Sequence, residues 1–292
     1  MQHFAKIGES AMSQHAETAS ITRARALRAL SVALRQARPE VTLDAKGYAQ
    51  DFTDVLVPMA EPAAFEEDLR AGAGNELNSK FRAAHSSSAL VVNCFAPFVN
   101  RPGDLRLPGL GTCSGLRFEQ QCPVGLRGKA PHLDVLAGGS GGIVGVESKL
   151  CEYLSPHSAY FSPSYNEQIR DERRDQGWFR EMLRLMEEPD DYQWLDAAQL
   201  IKHAYGLGHA FAEHETTLLY LYWEPLGAEE DETGVFAEHR AEIARFADRI
   251  TGAGPQFVAA SYFDLWEVWR SRAPDWLIQH LDAIEARYKL AL

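Results

Sequence analysis

The chain has 292 residues, is 46% hydrophobic and 24% charged, and carries a formal net charge of −12. That is a globular composition able to bury a large core, and its acidity argues against broad, nonspecific nucleic-acid binding while leaving room for a local basic groove. The opening "MQHFAKIGESAMSQ" lacks the apolar run of a signal peptide, and stretches such as "ALVVNCFAPFV" are too short and broken to span a bilayer. Cys94, Cys113, Cys122 and Cys151 include no C-x-x-C pair, so free thiols in a reduced cytoplasm are expected rather than a four-cysteine zinc site.

In chain order, "AETASITRARALRALSVALRQARPE" spaces Ile21, Ala24, Leu27, Leu30 and Leu34 as an amphipathic helix ending before Pro39. "EPAAFEEDLRAG" reads as a short helix closed by Gly72 and Gly74. "NELNSKFRAAHSSSALVVNCFAPFV" is expected to be helical with a break near the serines and Asn75 as cap. "GLRFEQQCPV", "HLDVLAG" and "GIVGVESKL" then read as three strands, followed by a long loop from Ser155 to Trp178. "WLDAAQLIKHAYGLGHAF" is a strong helix and "TTLLYLYWEP" a buried strand. "FAEHRAEIARFADRI" is a helix, "PQFVAASYFDLWEVW" starts as a strand, and "PDWLIQHLDAIEARYKLAL" is a terminal helix. The expectation is a mixed α/β fold, with an N-terminal helical region over 1–72 packed on a core over 73–292.

Chemistry concentrates in "HLDVLAGGSGGIVGVESK". If "AGGSGG" is a hairpin turn, Asp134 and Glu147 fall opposite each other, with Cβ atoms about 5 Å apart. Strand alternation turns Lys149 the same way as Glu147, and leaves Leu133, Val135, Val144, Val146 and Leu150 as the apolar face. Two carboxylates that close repel unless a cation intervenes. Lys149 supplies one positive charge, and Mg²⁺ is a hard ion suited to such oxygen ligands.

Asp134, a glycine turn and Glu147-Ser148-Lys149 resemble the PD-(D/E)XK nuclease superfamily, the restriction-endonuclease-like fold, with Pro131 displaced from its usual place beside the aspartate. "E-x-x-S-K-F … S-S-S-x-L … N" from Glu76 onward is similar to uncharacterised bacterial restriction-endonuclease-like proteins, over roughly Glu76 to Trp223. The resemblance implies a central mixed sheet flanked by helices and Mg²⁺-dependent hydrolysis of DNA phosphodiesters, in restriction or defence, with Mn²⁺ able to substitute. It implies Asp134, Glu147, the Ser148 carbonyl and Glu76, on a helix before the core strands, as metal ligands. Lys149 would act on the attacking water, and Gln199 would join from the following helix, with Lys202 and His203 one turn on. Lys149 is expected to matter to chemistry and little to the fold. DNA is the expected partner, with a homodimer as a further candidate and no membrane.

Glu119 either joins the acidic site or pairs with an arginine, since alternation of Arg117, Glu119 and Gln121 does not fix the inward face. Arg101, Arg106, Arg117, Arg127, Lys129, Arg170, Arg173 and Arg174 are a basic groove or a solvated surface. His209, Glu213 and His214 miss zincin spacing, the two histidines diverging by roughly 140° on a helix. "AGGSGG" lacks the G-K-[ST] of a phosphate loop, Ser86 to Ser88 suit helix capping, and Trp266 and Trp269 suit the core. The alternative to a nuclease is a catalytically silent protein that keeps the fold as a binding or structural module.

Overall fold

The apolar runs pair into one five-stranded sheet in a computed structural model that describes residues 2–72, 75–168 and 176–292. The strands are β1 (Cys113–Gln121), β2 (His132–Gly139), β3 (Gly142–Lys149), β4 (Thr216–Tyr222) and β5 (Gln256–Ser261), ordered as in the chain. β1, β2 and β3 form an antiparallel meander, whereas β3, β4 and β5 run parallel. Parallel neighbours need crossovers. The first carries α4 (Gly177–Glu187) and α5 (Ala197–Ala210), the second α6 (Val235–Ile250).

Helices cover both faces of this mixed α/β sheet. Val135, Ala137, Val144, Val146, Leu219 and Leu221 share a buried cluster with α1 (Gln2–Ala37), α3 (Ser87–Phe95), α7 (Tyr262–Arg270) and α8 (Asp275–Tyr288). Leu218, Tyr220 and Tyr222 belong to a second cluster with α4, α5 and α6. Leu133, expected with Val135, packs in that second cluster instead.

Helix α1 stops before Pro39 as its sequence requires, but its buried stripe is Ala19, Thr22, Ala26, Leu30, Ala33 and Leu34. Ile21 and Ala24 face solvent: α1 packs through small residues that let it approach α8 closely. Arg287 of α8, 2% exposed, donates to the carbonyls of Leu30 and Ala84 and ties α1 to the core. Glu66–Ala71 forms the short helix α2, closed by Gly72, while Gly74 lies outside the described residues.

The stretch expected to be helical from Asn75 is not helical until Ser87. Residues 75–86 are turns with a 3₁₀ turn at Lys80–Arg82, and Ser86 Oγ caps α3 by accepting from Ala89 N at 3.2 Å. Ser79, Ser86 and Ser88 bond locally in ways that compete with a continuous helix. Trp266 and Trp269 are core residues, and each of the four cysteines is buried and unpaired. Among the described residues, no helix is long and apolar enough to cross a membrane.

His239 of α6 is fully buried, stacked on Tyr153 at 4.0 Å and 3.0 Å from the Tyr220 hydroxyl. Burial, helped by the Arg240 charge, pushes its pKa down to about 3. The unfolded chain takes up this proton near pH 6.5, so between those values it binds more protons than the folded one. Stability therefore falls as pH drops through that window, by about 1.4 kcal/mol per unit. Urea unfolding at about pH 7 and about pH 5 should show His239→Gln losing about 2 kcal/mol less across the interval than the wild type. Equal losses would remove the buried neutral imidazole from the account.

Candidate active site

The β2–β3 hairpin closes through Ser140 and Gly141, with Gly139 paired to Gly142. Gly142 takes a φ of +144°, and a Cβ there would meet the Glu215 carbonyl at 2.4 Å. This turn sets the register Val135↔Val146, and the next position brings Asp134 opposite Glu147, as the spacing predicts. The described ladder ends at Val135↔Val146. Beyond it the Asp134 carboxylate accepts from Ser148 N at 2.7 Å, so a side chain continues where a backbone carbonyl would otherwise pair.

The β1–β2 register extends the row. The pairs Phe118↔Val135 and Gln120↔Leu133 bracket Glu119 opposite Asp134, and Glu147 in turn pairs with Tyr220. Glu119, Asp134 and Glu147 thus come from adjacent positions on three neighbouring strands. Glu119 is the one non-glycine described residue with positive φ, +48°, a conformation that costs on the order of 1 kcal/mol. Among the described residues it pairs with no arginine. Its carboxylate lies 3.7 Å from His132 Nδ1, while Arg117 pairs with Asp68 at 3.2 Å.

Crowding shows in the proton affinities. Burial, then the charges of Glu76 and Glu147, push Glu119 up to about 8. Burial, then Glu147 and Glu119, raise Asp134 well above the usual carboxylate range. Glu147 goes the other way: burial alone would raise it, but Lys149 and His203 outweigh that and hold it ionised.

Glu147 is 3% exposed and both its oxygens are engaged. Oε1 is 2.7 Å from Lys149 Nζ and Oε2 is 3.0 Å from His203 Nε2. Lys149 Nζ also donates to Gln199 Oε1 at 2.7 Å. Burial opposes its charge, yet Glu147 and Glu152 keep its pKa above the ordinary lysine value. Gln199 and His203 lie four residues apart on α5 and so share one face. That face comes close because Gly145 has no side chain: a Cβ there would stand 2.6 Å from Leu133 and 2.9 Å from Leu207.

Glu76 lies in the turn region, not on a helix. Ser88 Oγ donates to its carboxylate, and it is close enough for its charge to act on Glu119. Ser148 is fixed from both sides, its N–H on Asp134 and its Oγ 2.6 Å from the Tyr262 hydroxyl. In a strand the N–H and C=O of one residue face the same neighbour, so the Ser148 carbonyl also faces β2. Glu152 accepts from Leu150 N at 2.8 Å and Cys151 N at 3.0 Å, closing the end of β3.

The sequence places His203 one turn on from Gln199 without giving it a partner, and the structure sets it on Glu147. Tyr262 and Glu152 are not among the expected site residues; tertiary packing places them. Arg101, Arg106, Arg117, Arg127 and Lys129 are exposed, and Arg101 lies over Trp276 at 4.8 Å. Arg170, Arg173 and Arg174 lie outside the described residues. Among the described residues, no three His, Cys, Asp or Glu side chains converge as a metal cluster, and both oxygens of Glu147 are engaged by Lys149 and His203.

Compared with known proteins, the chain matches no curated protein and no solved structure. It does match one family model, described as "Restriction Endonuclease associating with ARP", over residues 28–289. That span holds the whole sheet and every site residue described above. The chain therefore belongs to this restriction-endonuclease family.

Proposed function

We propose that the chain is a PD-(D/E)XK-type nuclease that hydrolyses DNA phosphodiesters with Mg²⁺, in restriction or defence. The observation that carries this is the buried Glu147–Lys149 pair, oriented by His203 and Gln199 and set beside Asp134 and Glu119. A fold has little reason to bury so many charges together, because desolvating an ion pair costs as much as its attraction returns.

The donor types suit a hard divalent ion, which would share Glu147 with Lys149 and His203. Asp134 and Glu147 are oxygen donors on facing strands, the Ser148 carbonyl faces the same side, and Glu76 stands beside Glu119. When bound, Mg²⁺ would supply Lewis-acid activation of a phosphoryl oxygen and of water. The chain's own part is to hold a protonated Lys149 where a water or a developing negative charge on phosphorus would sit. Gln199 keeps the ammonium in place by accepting one of its protons, and His203 keeps Glu147 oriented. The occupied state of Glu147, together with the net charge of −12, favours one rival: a silent protein whose charge cluster is structural. Incubation with plasmid, linear and single-stranded DNA in Mg²⁺, Mn²⁺ or EDTA separates the two. Metal-dependent cleavage is expected, and none with any metal would leave the silent module.

Calorimetric titration of Mn²⁺ should show weak binding to the wild type and at least tenfold weaker binding to Asp134→Asn, taking roughly 1.4 kcal/mol as the loss of one ligand charge. Equal affinities would remove Asp134 from the ion's shell.

Lys149 bears on both chemistry and fold. At 13% side-chain exposure it neutralises Glu147, so its loss leaves a buried carboxylate short of a partner. The expectation that it matters little to the fold is thereby revised. Lys149→Ala should cleave at least roughly tenfold more slowly and unfold about 3 kcal/mol more easily. Lys149→Arg keeps the charge and should recover most of the stability but not the rate, because a guanidinium presents its donors in a different geometry. Wild-type cleavage by either variant would move the active site elsewhere.

A further inference from the structure

The segment between α4 and α5 contains no helix or strand, yet its backbone is held at several points. Glu242 of α6 gathers three consecutive N–H groups on one carboxylate. Its Oε1 accepts from Gln193 N, and its Oε2 from Trp194 N and Leu195 N, each at 2.8 Å. One turn back on the same face of α6, Glu238 accepts from Trp194 Nε1 at 2.7 Å. From the other side, His157 N donates to the Gln193 carbonyl at 2.7 Å. Glu242 is buried, and Arg245, the cation whose charge reaches it, lies 3.8 Å from Asp191 instead. Burial raises its pKa, and the three N–H groups offset part of that rise.

Burying a carboxylate is a costly way to fix a loop. What the loop leads to supplies the reason. The next residue, Asp196, caps α5 by accepting from Gln199 N at 3.0 Å, and Gln199 Oε1 accepts from Lys149 Nζ at 2.7 Å. A path of hydrogen bonds and four successive residues therefore runs from Glu242 to the ammonium. A cap fixes where a helix starts in sequence, but not where that start lies over the sheet. Tying residues 193–195 to α6 does fix it, because α6 packs in the same buried cluster as α5 and β4. The demand for such accuracy is chemical: a displacement of about 1 Å at a reacting centre can cost roughly a hundredfold in rate.

We infer that Glu242 is a positioning residue for Lys149, acting through the backbone of residues 193–195, the Asp196 cap and Gln199. Its effect on rate rests on the nuclease reading and deepens it, by naming what aligns the ammonium from outside the site. Its effect on the placement of Lys149 stands apart from that reading.

The test is a double-mutant cycle of Glu242→Gln with Gln199→Ala in the full chain. Glu242→Gln keeps the size of the side chain but turns an NH₂ group toward donors that need an acceptor. Single-turnover cleavage of plasmid DNA with Mg²⁺ should slow about tenfold in Glu242→Gln, with the DNA concentration for half-maximal rate unchanged. In the Gln199→Ala background the same substitution should change the rate by about twofold or less, because the two residues act on one path. A role confined to stability would slow both backgrounds alike. Independently of cleavage, the Lys149 ammonium signal of protein labelled with ¹⁵N-lysine is assigned by its loss in Lys149→Arg. It should move in Glu242→Gln and stay in place between Gln199→Ala and the double variant. Should Glu242→Gln fail to fold, Glu238→Ala frees only Trp194 Nε1 and should act in the same directions by a smaller factor. The inference is overturned if the Lys149 signal keeps its wild-type position in the variant that folds, if that variant cleaves at the wild-type rate, or if cleavage slows equally with and without Gln199. If the wild type cuts no DNA, the nuclease reading falls, and the Lys149 signal alone decides the positioning.

Discussion

Burying the Glu147 carboxylate in the sheet is the constraint around which the rest of the molecule is arranged. An unpartnered carboxylate there would cost several kcal/mol and would neutralise itself instead. The chain answers with two partners from different directions, Lys149 two residues on and His203 across the crossover, and each needs further support. Gln199 steadies the lysine, and the Asp196 cap fixes the first turn of α5 by accepting from Gln199 N at 3.0 Å. Gly145 lets the helix lie close enough for these contacts to form.

The location follows from topology. Glu147 and Lys149 sit at the carboxyl end of β3, where the sheet changes from antiparallel to parallel and a crossover must leave. Open α/β sheets place their sites at such points, because departing chains open a crevice there. On β2 the ladder stops one residue short of Asp134, so that carboxylate is free to serve Ser148 and whatever occupies the crevice. Glu119 completes the row at the cost of a left-handed backbone conformation, and such strain persists where the surrounding structure imposes it.

Local patterns in the sequence account for much of this. All five strands, the hairpin register and the helix bearing Gln199 follow from period, turn residues and spacing, because each is set within a few residues. What did not follow depends on contacts distant in sequence. Nothing near Ile21 indicates that α1 would turn its small residues inward, since α8 decides that face. Nothing near Asn75 indicates that the serines would win the backbone from a helix until Ser86. The helix α4 hides in a polar stretch whose apolar stripe is short, and the burial of Lys149 emerges only when α5 closes over it.

The spread of these contacts along the chain bears on how the molecule comes into being. The hairpin can form as soon as β3 has been made, but the lysine meets Gln199 only 50 residues later and Ser148 meets Tyr262 only 114 residues later. Until α5 has docked, Glu147 and Lys149 lie open to water, where an ion pair holds no fixed geometry. A chain still being synthesised, or one cut short before α7, therefore carries every charged residue of the hairpin without the framework that aligns them. The aligned cluster is therefore completed in two steps, first when α5 docks and then when α7 brings Tyr262 to Ser148.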